Sequence, residues 1–190
     1  MLASGKGTIL TSLLERDLPV VMVAVDRPCP AAELARDSGV DTEIVERTSF
    51  GADFDRMAYT LRVIDALRQR DVDVVAMAGF GTVLSPPIFE QFPGRILNTH
   101  PALLPAFKGW HAVADALAAG VKVTGCTVHV ATESVDDGPI LAQEAVPVED
   151  GDTEATLHER IKAVERRLYP ETIARFLATH QPVRAADPFN

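Results

Sequence analysis

Asn98-Thr99-His100-Pro101 sets a carboxamide and an imidazole two residues apart. On an extended backbone that spacing turns both side chains to the same side. A carboxamide N–H stabilises an oxygen as it becomes negative, and an imidazole donates as the imidazolium or carries a proton near neutral pH. The pair therefore suits attack on a carbonyl coupled to proton transfer; a satisfied structural histidine is the competing reading. Farther along, Glu133-Ser134-Val135-Asp136-Asp137-Gly138-Pro139 gathers carboxylates among turn formers. A carboxylate there would orient His100 and favour its charged form, or the segment is only a turn.

Other residues carry weaker chemistry. Ser4-Gly5-Lys6-Gly7-Thr8 has the glycines and the following helix that let backbone N–H groups face a phosphate, but neither the Walker A spacer nor the full GxGxxG pattern. It reads as a phosphate cradle or as an ordinary tight turn. His129 sits in the apolar alternation Val128-His129-Val130 and reads as a core or supporting residue rather than a catalyst. Lys162 and Glu165, three apart on a helix, read first as a surface ion pair. Phe107 and Trp110 either line a pocket or simply pack. Cys29 and Cys126 lack a CxxC partner or a histidine at ligand spacing, so neither a disulfide framework nor a metal site is expected. A formal net charge of −9 argues against nucleic acid and anionic membrane as partners. The apolar runs are strand-length, and no export signal precedes them, so the expected compartment is a reducing cytoplasm.

These residues must be held by an alternation of strands and helices. Val20 to Val25 and Val72 to Met77 are apolar runs suited to strands buried on both faces of a parallel sheet. Ile9 to Arg16, Ala31 to Ser38 and Asp53 to Arg70 read as helices, the last with an inward stripe at Met57, Leu61, Ile64 and Leu67. Arg95 to Asn98 reads as a short strand delivering His100 just beyond its end, where open α/β sheets bind ligands. A helix over Ala112 to Ala119, strands over Thr124 to Ala131 and Ile140 to Val148, and a long helix capped by Asp152 or Thr153 follow. The expected fold is α/β and Rossmann-like, with a mostly parallel central sheet and helices on both faces. One domain spans 1–190, with a phosphate-binding half over 1–98, a catalytic half over 99–176 and a tail over 177–190. Only Met1-Leu2-Ala3 precede the first turn. The first strand is therefore expected to be truncated, with a start downstream of the natural one or a loss of stability as the consequence.

Taken together, Asn98-Thr99-His100-Pro101-Ala102-Leu103-Leu104-Pro105, Gly109 and Asp136-Asp137-Gly138-Pro139-Ile140-Leu141 resemble the signature of the folate-dependent formyltransferases, in order and spacing, within a likeness running from Ala3 to about Phe176. The resemblance implies formyl transfer from 10-formyltetrahydrofolate, as co-substrate, to the amine of glycinamide ribonucleotide in purine biosynthesis, without a metal. It implies Asn98, His100 and Asp136 as catalytic residues. It places phosphate and nucleotide contacts at Gly5, Lys6, Gly7, Thr8, Ile9, Arg56, Lys162 and Glu165, and folate contacts at Gly81, Thr82, Val83, Leu84 and Glu133. Ile9 stands where that pattern often has Asn, Gly81-Thr82 where it often has Met-Arg, and Asp137 where it often has Gly. Partners are expected to be the two small substrates, in a monomer or homodimer. The related enzymes acting on tRNA or on water carry an extra domain that this length leaves no room for, and the acidic charge also disfavours tRNA.

Overall fold

The computed structural model describes residues 1–180; of the tail expected over 177–190, residues 181–190 lie outside the described residues. Seven strands form one sheet in the order β3-β2-β1-β4-β5-β6-β7. They are β1 (Leu2–Ala3), β2 (Met22–Val25), β3 (Asp41–Ile44), β4 (Val75–Ala78), β5 (Ile96–His100), β6 (Val123–Val130) and β7 (Ile140–Pro147). The first five pair in parallel, and β5·β6 and β6·β7 pair antiparallel. The mostly parallel α/β architecture expected from the alternation is the one found. Its helices are α1 (Thr8–Leu14), α2 (Pro30–Asp37), α3 (Arg56–Arg68), α4 (Pro87–Gln91), α5 (Ala112–Ala118) and α6 (Glu154–Thr179).

Strand alternation divides the core into two layers. Ala3, Val23, Val25, Ala76, Leu97, Cys126 and Val128 pack with α1, α2, α5 and α6 on one face. Leu2, Met22, Ala24, Val75 and Ile96 pack with α3 and α4 on the other. Burying both faces is what lets the parallel strands read as unbroken apolar runs. The two-residue β1 is indeed short, yet it occupies the sheet's centre and pairs with β2 on one side and β4 on the other. The Met1 amino group continues the edge by donating to the Met22 carbonyl at 2.8 Å.

Four expectations change. In α3 the buried residues are Tyr59, Thr60, Val63, Ile64, Ala66 and Leu67, whereas Met57 and Leu61 are exposed, so the inward stripe keeps Ile64 and Leu67 but is rotated by roughly a quarter turn from the one expected. Strand β3, Asp-Thr-Glu-Ile, carries too little apolar signal to be seen in advance, because as an edge strand it needs burial on neither face. Helix α4 has five residues and is likewise too short for periodicity to show. Helix α6 continues past 176 to Thr179, through Pro170, opened by a capping box between Thr153 and Thr156.

The loop after β5 is tied to the β6·β7 ribbon. Thr127 Oγ1 accepts from the Leu104 N–H at 3.0 Å and donates to the Ala102 carbonyl at 2.6 Å, while Gln143 Nε2 donates to the Leu104 carbonyl at 2.8 Å. Close packing of Leu103 requires a glycine opposite. A Cβ on Gly125 would lie 2.2 Å from the Glu144 carbonyl oxygen and 2.6 Å from Leu103 Cδ2. Gly125→Ala is therefore expected to lower unfolding free energy by at least about 2 kcal/mol, measured by urea denaturation. An unchanged midpoint would contradict the packing described.

Candidate active site

Strand β5 runs into the site rather than stopping before it: Asn98, Thr99 and His100 are its last three residues, at the carboxyl edge of the parallel strands. Asn98 and His100 share the face of Ile96, and Thr99 shares that of Leu97. The antiparallel β5·β6 pairing sets His129 directly opposite Asn98. Such partners have neighbouring Cβ atoms. Asn98 Nδ2 accordingly lies 3.3 Å from His129 Nε2.

The carboxylate arrives from the loop between β6 and β7. That loop is closed at its neck by the Val130 N–H donating to the Pro139 carbonyl at 2.9 Å. The chains approach so closely there that a Cβ on Gly138 would stand 1.8 Å from the Val130 carbonyl oxygen. Asp136 adopts φ 53°, in the left-handed region that Asp tolerates better than most residues. Its side chain turns inward with 7% exposure, while Asp137 turns outward to pair with Lys108.

Asp136 Oδ2 sits 3.2 Å from His100 Nδ1 and accepts from the Gly109 N–H at 2.8 Å. Its Oδ1 lies 3.5 Å from His129 Nε2. Burial pushes the Asp136 carboxyl up, but the His129 contact, the Gly109 N–H and the charges of the two imidazoles outweigh it and hold it below the ordinary value. His100 Nε2 lies 2.8 Å from the Phe107 carbonyl oxygen. Both nitrogens of His100 thus face oxygen acceptors, a pattern only the doubly protonated ring satisfies in full. His129 Nδ1 donates to the Val130 carbonyl at 3.0 Å, so its Nε2 serves either neighbour. The neutral ring accepts from Asn98, and the protonated ring donates to Asp136.

The remaining expected residues surround this centre at varying depth. Gly7, with φ 79°, turns the chain into α1, and the N–H groups of Thr8, Ile9 and Leu10 precede the first helical bond, Thr11 N–H to the Gly7 carbonyl. The Ile9 side chain is 5% exposed and belongs to the core, so only its backbone is available to a ligand. Gly5 and Lys6 are exposed, and the Lys6 charge is felt by Glu159 on α6. Arg56 opens α3, exposed, on the same carboxyl edge. Lys162 and Glu165 do not form the surface ion pair of the first reading; no contact within ion-pair distance joins them. Burial instead pushes the Glu165 carboxyl up, opposed by the Thr99 hydroxyl and by Lys162. Gly81, Thr82, Val83 and Leu84 form the loop after β4: Thr82 and Leu84 are buried, Val83 is exposed, and Gly81 donates to Ser4 Oγ at 3.4 Å. Glu133 lines a cavity of about 430 Å³ with Phe89, Val130, Ala131, Thr132 and Pro139. Three participants were not anticipated: Thr99, the Phe107 carbonyl and the Gly109 N–H. The last two are backbone groups with no residue-type signal.

Residues 2–173 match the formyl transferase family. The chain belongs to the formyl transferase family. Among family members, the phosphoribosylglycinamide formyltransferase of Mycobacterium tuberculosis is 51% identical over 185 residues, covering 95% of this chain and 84% of that protein. That of Bacillus subtilis is 35% identical over 182 residues, with 92% of each chain covered. The crystal structure of glycinamide ribonucleotide transformylase 1 from Symbiobacterium toebii superposes with a TM-score of 0.87 at 42% identity, covering 94% of this chain and 86% of that one. Among the described residues of this formyl transferase, no helix is long and apolar enough to cross a membrane.

Two carboxyls at the site leave opposite pH signatures. Asp136 is held down from 3.8, so the unfolded chain binds the proton more readily and the stability it contributes is lost as pH falls through its folded pKa. Glu165 is pushed up from 4.5, so folding is penalised as pH rises above that value. Thermal melts against pH should show Asp136→Asn destabilised near neutrality with the deficit closing in acid. Glu165→Gln should show a gain near neutrality that vanishes below about pH 4.5. The reverse signs would contradict the burial and partners described.

Proposed function

We propose that this chain transfers the formyl group of 10-formyltetrahydrofolate to the amine of N1-(5-phospho-D-ribosyl)glycinamide; the names of its relatives indicate for them a formyl transfer to phosphoribosylglycinamide. The observation that carries the reading is the cluster in which Asn98, His100 and Asp136 converge, with Asp136 Oδ2 3.2 Å from His100 Nδ1 at the end of β5. The substrate amine attacks the formyl carbon and a tetrahedral oxyanion forms. The Asn98 amide N–H and the His100 imidazolium supply donors for that oxygen. The bond from the formyl carbon to folate N10 then breaks, and the proton shed by the amine must reach N10. The His100 imidazolium, its charge stabilised by Asp136, is placed to give a proton to N10 and to be reprotonated by the one the amine sheds. Holding both substrates together supplies much of the remaining acceleration.

The first-turn N–H groups of α1 that lack a helical partner, with Lys6 and Arg56, suit the phosphate, and Lys162 with Glu165 suit the ribosyl portion. The cavity beside Glu133, reached by residues 131–139, has room for a bicyclic pterin. The loop over 81–84, with Val83 exposed, supplies the further folate contacts in this reading. The enzyme then works on small molecules alone, in the cytoplasm.

Turnover with 10-formyltetrahydrofolate, offering glycinamide ribonucleotide or water as acceptor, tests the reading: formylation of the amine supports it, and release of formate alone overturns it. Asn98→Ala should cost about 10² to 10³ in kcat, the usual loss on removing one oxyanion donor, with the KM values little changed. His100→Ala should abolish transfer while the nucleotide still binds by calorimetry. Lys6→Ala and Arg56→Ala should each raise the KM for the phosphate-bearing substrate about tenfold and leave that for the folate alone, as loss of a charge-assisted contact would. A uniform rise in both would remove these two residues from the phosphate site.

A further inference from the structure

Trp110 is 75% exposed, more than any other large apolar side chain among the described residues. It is also the chain's only tryptophan. An exposed indole beside the site offers a flat apolar face on which a planar ring can stack. Two contacts fix its place. Its neighbour Gly109 donates to Asp136 at 2.8 Å. The indole itself lies over Gly81, where a Cβ would meet Cη2 at 3.2 Å and Cζ3 at 3.5 Å. Trp110 therefore bridges the loop that holds the catalytic carboxylate and the loop after β4.

We propose that the indole of Trp110 is a stacking platform for the aminobenzoyl ring of the folate co-substrate, with Gly81 leaving the room in which it stands. The proposal rests on the formyl-transfer reading above. Of the two substrates, only the folate carries aromatic rings; the other is a ribose phosphate bearing a glycinamide. The formyl carbon is bonded to N10, and N10 is bonded directly to the benzoyl ring. A formyl group presented to Asn98 and His100 therefore leaves that ring within a few ångströms of the reacting carbon. The segment over 107–110 already reaches this centre, through the Phe107 carbonyl on His100 and the Gly109 N–H on Asp136. The pterin leaves N10 in the other direction, through a methylene, and so is free to enter the cavity beside Glu133. A flat, exposed, apolar face with an unencumbered glycine beneath it suits a planar ring and has nothing to offer a phosphate.

Because the tryptophan is unique, its fluorescence reports on the surroundings of this one indole. Titration with 10-formyltetrahydrofolate should quench it, and glycinamide ribonucleotide alone should leave it within a few per cent. Trp110→Ala should raise the KM for 10-formyltetrahydrofolate about tenfold, with kcat and the KM for the nucleotide within about twofold of wild type. Trp110→Phe, which keeps a stacking face, should restore the folate KM to within about threefold. A folate KM unchanged in Trp110→Ala, or fluorescence indifferent to the folate while turnover proceeds, overturns the proposal. If wild type transfers no formyl group at all, the functional reading fails instead, and the two failures are told apart by that control.

Discussion

A carboxylate that is 7% exposed has to be compensated by donors, and the compensation of Asp136 dictates much of this structure. Its donors come from three separate elements: His100 at the end of β5, His129 on β6 and the Gly109 N–H after the loop pinned by Thr127. Losing one partner would strand a charge whose desolvation is already complete, at a cost of several kcal/mol. The antiparallel addition of β6 to an otherwise parallel sheet is what makes the three meet. It places His129 across from Asn98 and returns the 131–139 loop over the end of β5. Gly138 then permits the chain to pass the Val130 carbonyl, and the left-handed Asp136 turns its carboxylate inward.

Strand β5 serves the site from both faces. Asn98 and His100 look toward the layer of α3 and α4, while Thr99 looks toward α6, within reach of Cys126 Sγ at 3.4 Å and in contact with Glu165. The Tyr169 hydroxyl donates to the Leu97 carbonyl at 2.7 Å and anchors α6 to the same strand. A side-chain period of two therefore places the carbonyl chemistry on one side and a titratable carboxyl on the other, one residue apart. Tilting α6 would disturb both.

The parts legible in the sequence were those with a residue-type signature at short range. The strand-helix alternation showed in β-branched runs, and the alternation of Asn98 and His100 predicted that they would act together. What escaped was set at long range or by backbone atoms. Strand β3 is polar because it lies at an edge, and α4 is shorter than two helical turns. The stripe of α3 was misplaced because Met57 and Leu61 are apolar but exposed, so hydrophobicity pointed at the wrong face. The resemblance already singled out Asp136 over Asp137, but what turns it inward, a φ value and the pairing of Asp137 with the distant Lys108, has no local signal. Phe107 and Gly109 act through a carbonyl and an N–H, which every residue but proline possesses in equal measure.

The Phe107 carbonyl has a consequence for where the site spends its donors. It accepts the Nε2 hydrogen of His100, so in the proposed reaction a bound formyl oxygen must compete with it. The neutral formyl oxygen is an acceptor of much the same strength as the peptide carbonyl, and displacing one by the other gains little. The oxyanion carries a full charge, and a charge-assisted bond is roughly twice as strong as a neutral one. The exchange therefore becomes favourable only as the tetrahedral intermediate forms. An interaction weak in the ground state and strong in the transition state raises kcat rather than merely tightening binding. On the proposed reading the carbonyl thus makes the imidazolium selective for the oxygen in its reacting form, while keeping its hydrogen satisfied at 2.8 Å until then.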